Sequence, residues 1–172
     1  PQLPEFESPC PVIVPVGIDQ DPHLRLARDL SRRIKNPQFM QLSSTYHFFV
    51  PGLKGGKMSS SDPTSFISLT DDEKTVKNKI NKYAFSGGKD TLEEHRKQGG
   101  NPDIDVSFQY LKYLFEDDDK NLAKIEADYR SGKLLSGELK NYTIEKINMF
   151  LKEHQKNREK AKKEVEKFLY KG

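Results

Sequence analysis

From residue 70 onward, apolar side chains return every three or four positions, and each run is closed by glycine or by a cluster of acidic residues. That period puts the apolar groups on one face of a helix, and glycine ends helices because it adopts backbone conformations other residues resist. Thr70-Asp71-Asp72-Glu73 reads as a capping box for a helix with Val76, Ile80 and Tyr83/Ala84 on one face, closed by Ser86-Gly87-Gly88. Asp90-Thr91-Leu92 opens another, stopped by Gly99-Gly100-Asn101-Pro102. Asp105 caps a third, carrying Val106, Phe108, Leu111, Leu114 and Phe115, and the acidic run from Glu116 to Asp119 ends it facing solvent or another part of the protein. A fourth runs from about 121 to 129 and stops at Ser131-Gly132. The last runs from about Ser136 to Tyr170. Its stripe is Leu139, Tyr142, Ile147, Phe150 and Leu151, skipping Lys146 and resuming at Val165, Phe168 and Leu169. Helices of this kind bury their stripes only against one another, which predicts an all-α bundle of four or five helices.

Upstream the pattern differs. Residues 11–18, PVIVPVGI, form a short Val/Ile-rich run that reads as a strand, with Pro15 marking an edge or a bulge. Asp21 and Pro22 suit an N-cap and first helical position, and Leu24, Ala27, Leu30 and Ile34 continue as a helical stripe that Asn36-Pro37 breaks. Asp19 and Gln20 fall at the carboxyl end of the strand, where open parallel sheets bind ligands. The pieces FMQL and HFFV within 38–50 read as one weak strand and a loop. The fold class is therefore α/β plus all-α, with a boundary near residue 66. Two strands and one helix cannot make a covered parallel sheet, so residues 1–66 read as half a domain.

At 34% hydrophobic and 32% charged, the chain can bury only a thin core for its 172 residues. No apolar run is long enough to cross a membrane as a helix, and PQLPEFESPC does not read as a signal peptide. Cys10 is the single cysteine, so no intrachain disulfide can form. The net charge of +3 is too small to point to a partner. His23, His47, His95 and His154 lack ligand spacing, and no metal site is proposed. Asn141-Tyr142-Thr143 matches a glycosylation acceptor by chance, inside a helical pattern.

Residues 52–63, GLKGGKMSSSDP, suit neither helix nor strand. Met58 follows Lys57, so the Walker pattern fails. A glycine-rich loop with one cation and several hydroxyls still suits a polyphosphate, whose oxygens accept from backbone N–H and serine groups. A plain surface loop of small residues has the same composition.

Residue order adds to this. Lys57-Met58-Ser59-Ser60-Ser61 resembles the KMSKS signature of class I aminoacyl-tRNA synthetases. Gly17-Ile18-Asp19-Gln20 resembles the GxDQ motif of the tryptophanyl and tyrosyl enzymes. Ala84-Phe85-Ser86-Gly87-Gly88, Gly99-Gly100-Asn101-Pro102-Asp103 and Ser136-Gly137-Glu138-Leu139-Lys140 resemble the helical domain of tryptophanyl-tRNA synthetases of the archaeal and eukaryotic type. The resemblance runs from about Val12 to Tyr170.

It implies the C-terminal half of a Rossmann-type catalytic domain in residues 1–66 and a helical anticodon-binding domain in 67–172. It implies ATP and Mg²⁺ as cofactors, tryptophan and tRNA(Trp) as partners, a cytoplasmic location and a homodimer in the full-length protein. Lys57 is carried over as the lysine that stabilises the transition state, with Ser59, Ser60 and Ser61 at the phosphates and Met58 as an apolar anchor beside the adenine. Ser60 stands where the full motif has its second lysine, so Lys54 or another group must supply that charge. Asp19 resembles the ribose-binding carboxylate, the lesser alternative being a cap for the helix at Pro22. Gln20 resembles the amino-acid contact. Lys89 and Asp90 stand where the family reads anticodon bases, although Asp90 could merely cap the next helix. The basic stretch HQKNREKAKK is a solvated face or a nonspecific contact with the tRNA backbone. Tyr83 and Phe85 read as core.

No HxGH signature occurs. The 172 residues alone are therefore expected to be inactive in ATP–pyrophosphate exchange, as a C-terminal portion of a longer enzyme. A tyrosyl-tRNA synthetase of the same subclass and a noncatalytic RNA-binding or signalling fragment are the alternatives.

Overall fold

The computed structural model describes residues 10–35 and 39–169. Asn36-Pro37, Tyr170 and most of the N-terminal decapeptide, to which some of the readings above refer, lie outside the described residues. The chain divides into two compact units, Pro1–Phe49 and Val50–Gly172.

In the first unit, strand β1 (Ile13–Gly17) runs parallel to β2 (Ser43–His47), with Ile13 opposite Ser43 and Gly17 opposite His47. Pro15 is tolerated because, among the described residues, the sheet has two strands and each keeps an unpaired edge. A 3₁₀ turn (Ile18–Gln20) leads into helix α1 (Asp21–Arg33). The expected cap is displaced by this turn. Gln20 is the N-cap and makes no side-chain cap bond, while Asp21 is already helical. The Asp21 carboxylate instead accepts from Tyr46 Oη and pairs with Arg25 Nε at 2.6 Å. The expected strand also shifts, since neither FMQL nor HFFV forms one. β2 is the polar SSTYH, which starts after FMQL and takes in only His47 of HFFV, and Arg28 Nε of α1 donates to Leu42 O, just before the strand, at 3.1 Å. Only Leu24 of the α1 stripe is buried, and Leu30, Ile34, Phe48 and Phe49 remain exposed.

Among its described residues the second unit is a bundle of five α-helices: α2 (Glu73–Tyr83), α3 (Leu92–Gln98), α4 (Val106–Tyr110), α5 (Asp119–Arg130) and α6 (Ser136–Lys162). Helix α2 starts later than the Thr70 box predicts, because Asp72 is the cap and accepts from Thr75 N at 2.7 Å. Asp105 caps α4 as expected. After α4 the backbone widens into a π-helical segment (Leu111–Phe115), closed by Glu116 N donating to Leu111 O at 2.9 Å. The extra residue in that turn shifts the helical phase. Leu114 accordingly stands about half exposed, whereas Phe115 packs on both core clusters of the unit. Helix α6 ends at Lys162, short of the expected end, and a 3₁₀ turn (Val165–Lys167) follows. Beyond Leu151 no described residue of the helix is fully buried, although Gln155 Nε2 donates to Leu69 O at 3.1 Å and Asp71 O at 3.0 Å, and Val165, Phe168 and Leu169 are exposed. Among the described residues the stripe therefore does not resume as a buried face.

The core of the unit joins Val76, Ile80, Val106, Tyr110, Ile144, Ile147 and Leu151 with two residues from outside the helices, Ala84 at the C-cap of α2 and Leu53 far from any helix end. A second cluster holds Phe108, Leu111, Tyr129 and Leu139. Glu116 does not face solvent. Its side chain is 3% exposed and accepts from Tyr142 Oη and from Asn121 Nδ2 at 2.9 Å, with Lys146 Nζ at 3.2 Å. The Tyr142 hydroxyl bond, reinforced by the donors around it, holds that carboxyl down at about 2. The skipped position of the α6 stripe is thus filled by the cation that answers Glu116.

Candidate functional site

The two units carry separate constellations. In the first, the 3₁₀ turn sets Asp19 and Gln20 at the carboxyl end of β1, both exposed. Asp21 is held by Tyr46 and Arg25, while Asp19 makes no hydrogen bond or ion pair among the described residues. Asp19 therefore does not cap α1. Gly17 allows the close turn, since a Cβ there would lie 3.0 Å from Asp19 Oδ1 and 3.3 Å from the Phe49 ring.

In the second unit, residues 52–65 close on themselves. Gly52 N donates to Gly56 O at 2.6 Å, and Gly55, at φ 83°, donates to Gly52 O at 2.8 Å. Leu53 is fully buried, its N–H donating to Ser65 O at 2.8 Å and its carbonyl accepting from Phe85 N at 2.7 Å. A Cβ on Gly52 would lie 2.8 Å from Ser65 O, so the two ends of the loop meet without room for a side chain. The Ser65 hydroxyl, buried beneath the loop, donates to Asp62 O at 2.7 Å and accepts from Ser59 N at 3.0 Å. Ser59 and Ser61 hydroxyls bond each other at 2.9 Å. Lys54 Nζ pairs with Asp62 Oδ2 at 2.8 Å, and Thr64 donates to Oδ1. The Lys54 ammonium, with the Thr64 groups behind it, pulls the Asp62 carboxyl down to about 2. This leaves Lys57 and Ser60 exposed at the tip, with no side-chain partner among the described residues. Met58 lines an apolar cavity of about 290 Å³ with Ile67, Leu69, Leu114 and Phe150. Phe85 is half exposed and packs beside Gly55, so it is not core; Tyr83 packs against the core as expected.

Lys89 and Asp90 share one cavity of about 420 Å³ with Thr91, His95, Asn141 and the first turn of α6. Thr91, not Asp90, caps α3, accepting from Glu94 N at 3.2 Å. Asp90 is left without that structural task. The floor is His95, 3% exposed and bonded through Nε2 to Leu134 O at 3.0 Å. Glu138 folds back to accept from Leu135 N at 2.8 Å at the start of α6. The cavity thus offers a cation, a carboxylate and a helix N-terminus, groups that recognise a phosphate and the edge of a base. The sequence marks His95 only as a histidine without ligand spacing and Asn141 only as part of a chance glycosylation match, and assigns neither to this cavity. No local signal joins the two; they meet because residues of α3 and of the start of α6 line the same cavity, with His95 Nε2 bonded to Leu134 O just before α6.

A sequence profile described as "tRNA synthetases class I (W and Y)" matches residues 5–152. The chain is 57% identical over 162 residues to the tryptophan–tRNA ligase of Sulfurisphaera tokodaii, covering 93% of this chain and 42% of that protein. It is 48% identical to the human cytoplasmic tryptophan–tRNA ligase, covering 97% of this chain and 35% of that one. It superposes on the crystal structure of the Aeropyrum pernix tryptophanyl-tRNA synthetase with a TM-score of 0.92 at 43% identity, covering 99% of this chain and 47% of that chain. The chain thus spans less than half the length of these relatives.

Proposed function

Because this chain belongs to the class I tRNA synthetases for tryptophan and tyrosine, we propose that it forms part of a tryptophan–tRNA ligase. The ligase joins tryptophan to ATP, giving tryptophanyl-adenylate and pyrophosphate, and then transfers the aminoacyl group to the 3′ end of tRNA(Trp). Residues 1–66 serve the catalytic domain as the C-terminal half of its Rossmann-type fold, and 67–172 bind the anticodon arm. The supporting observation is the 52–65 loop. Its ends are fixed by backbone bonds and by buried Leu53, and its Lys57 ammonium is presented without a partner among the described residues.

In the first step the tryptophan carboxylate attacks the α-phosphorus and the bond to pyrophosphate breaks. Charge grows on the leaving oxygens, and the Lys57 ammonium is placed to answer it. Ser59, Ser60 and Ser61 contribute hydroxyls to the phosphates, with Met58 as the apolar anchor of the loop. Asp19 accepts from the ribose hydroxyls and Gln20 contacts the amino acid. Both are exposed at the carboxyl end of β1 and make no side-chain cap bond. The described residues hold no group of three or more His, Cys, Asp or Glu that could ligate a metal. Magnesium would enter with the triphosphate, as this ion commonly binds through substrate phosphates. Lys89 and Asp90 read the anticodon. The location is cytoplasmic and the full-length ligase is a homodimer.

The test has two arms. In the intact ligase, Lys57→Ala slows ATP–pyrophosphate exchange by about 10²–10³-fold, the usual effect of removing one preorganised electrostatic contact, with tRNA affinity unchanged. The 172-residue chain alone shows no exchange. Exchange that survives Lys57→Ala, or that the isolated chain supports, overturns the reading.

A further inference from the structure

We propose that Asp105 is a positioning residue for RNA, its buried carboxylate fixing together the two walls of the Lys89–Asp90 cavity. This rests on the reading of that cavity as a tRNA site. Asp105 is 1% exposed. Its Oδ1 accepts from Ser107 N at 2.9 Å and Phe108 N at 3.2 Å, which is the cap of α4. A cap requires no more than this. Its Oδ2 accepts three further bonds, from Gly87 N at 2.8 Å, Ser86 Oγ at 3.2 Å and Tyr129 Oη at 2.8 Å.

Those three donors belong to the cavity's supports. Ser86-Gly87 leads directly into Gly88-Lys89-Asp90, one wall of the cavity. The Tyr129 oxygen lies 3.0 Å from Ser136 Oγ in the first turn of α6, the opposite wall. A carboxylate can only accept, so Tyr129 gives its proton to Asp105 and Ser136 donates to Tyr129. The chain of bonds from Ser136 through Tyr129 to Asp105 therefore has one polarity. Close packing leaves the walls no slack. A Cβ on Gly87 would lie 1.9 Å from Asn101 O, and one on Gly88 would lie 2.2 Å from Ser136 Oγ. Recognition of a base by hydrogen bonds tolerates displacements of only about 0.5 Å, so the hub that sets the spacing of the walls sets the discrimination.

The experiment uses the intact ligase carrying Tyr129→Phe, which removes one hydroxyl, or Asp105→Asn, which presents an amide N–H₂ to groups that themselves donate. ATP–pyrophosphate exchange, which involves no tRNA, stays at the parent rate in both. The KM for tRNA rises about three- to tenfold, the scale of one buried hydrogen bond lost, and the preference for the cognate anticodon over a tRNA with one anticodon base replaced narrows. A merely structural role would lower the Tm and leave that preference intact, and this result overturns the proposal. If Asp105→Asn does not fold, Tyr129→Phe decides. A Lys89→Ala/Asp90→Ala variant separates the two levels. Should it leave the tRNA KM unchanged, the tRNA reading of the cavity falls and takes the proposal with it. Should it raise KM while folded Tyr129→Phe does not, only the positioning role falls.

Discussion

Leu53→Ala probes whether the base of the glycine-rich loop is part of the helical core. Leu53 lies outside every helix, yet it is fully buried in the cluster of Val76, Ile80, Val106 and Ile147. Burying a leucine side chain contributes roughly 1.5–3 kcal/mol from transfer alone, and the hole left by truncation adds to the loss, for a usual total of about 2–5 kcal/mol. Residues from three helices line the cluster, and its neighbours Val76, Ile80 and Val106 are fully buried and β-branched. They collapse poorly into a void, which argues for about 3–4 kcal/mol. For a unit of this size that lowers the Tm by roughly 12–16 °C. The assay is urea and thermal denaturation of the chain followed by circular dichroism, with Leu69→Ala as a control because Leu69 is half exposed. A Leu53→Ala protein that unfolds together with the control would refute the reasoning. Leu53 would then not belong to the bundle's core, and the loop would be held by its backbone bonds alone.

The Glu116 carboxyl sits at about 2 in the fold and near 4.5 when free, so its contribution to stability is present above pH 4.5 and fades as the pH falls toward 2. Glu116→Gln should flatten the dependence of Tm on pH across that window; an unchanged slope counts against the cluster with Tyr142 and Lys146. In the loop, Lys54 is the nearest candidate for the charge that Ser60 does not supply. Lys54→Ala should slow ATP–pyrophosphate exchange in the intact ligase by about tenfold, and Ser60→Lys should restore it. If Lys54→Ala and Asp62→Asn prove equal in exchange and Ser60→Lys restores nothing, Lys54 serves only the Asp62 pair.

Local signals were legible wherever the determining contacts lie within a turn of the chain. The Asp105 cap, the glycine stops at Gly99 and Gly132, and the faces bearing Val76, Ile80, Leu139 and Ile147 all follow from spacings of two to four residues. Motif order likewise pointed to the family and to the exposed Lys57. Signals of equal local strength competed at Asp21 and Thr70, and there neighbouring turns decided which residue capped.

What the sequence by itself determined, then, was the run of helices in 70–162, the strand before Asp19, and the residues to suspect of chemistry. Only the tertiary structure decided that residues 50–66 pack with the helices, that Glu116 meets Lys146, and that one carboxylate at 105 gathers groups 18 to 24 residues distant. The physical reason is range. A backbone hydrogen bond in a helix ties residues four apart and leaves a period in the sequence, whereas a buried polar hub or a leucine filling a gap between helices depends on packing and leaves none.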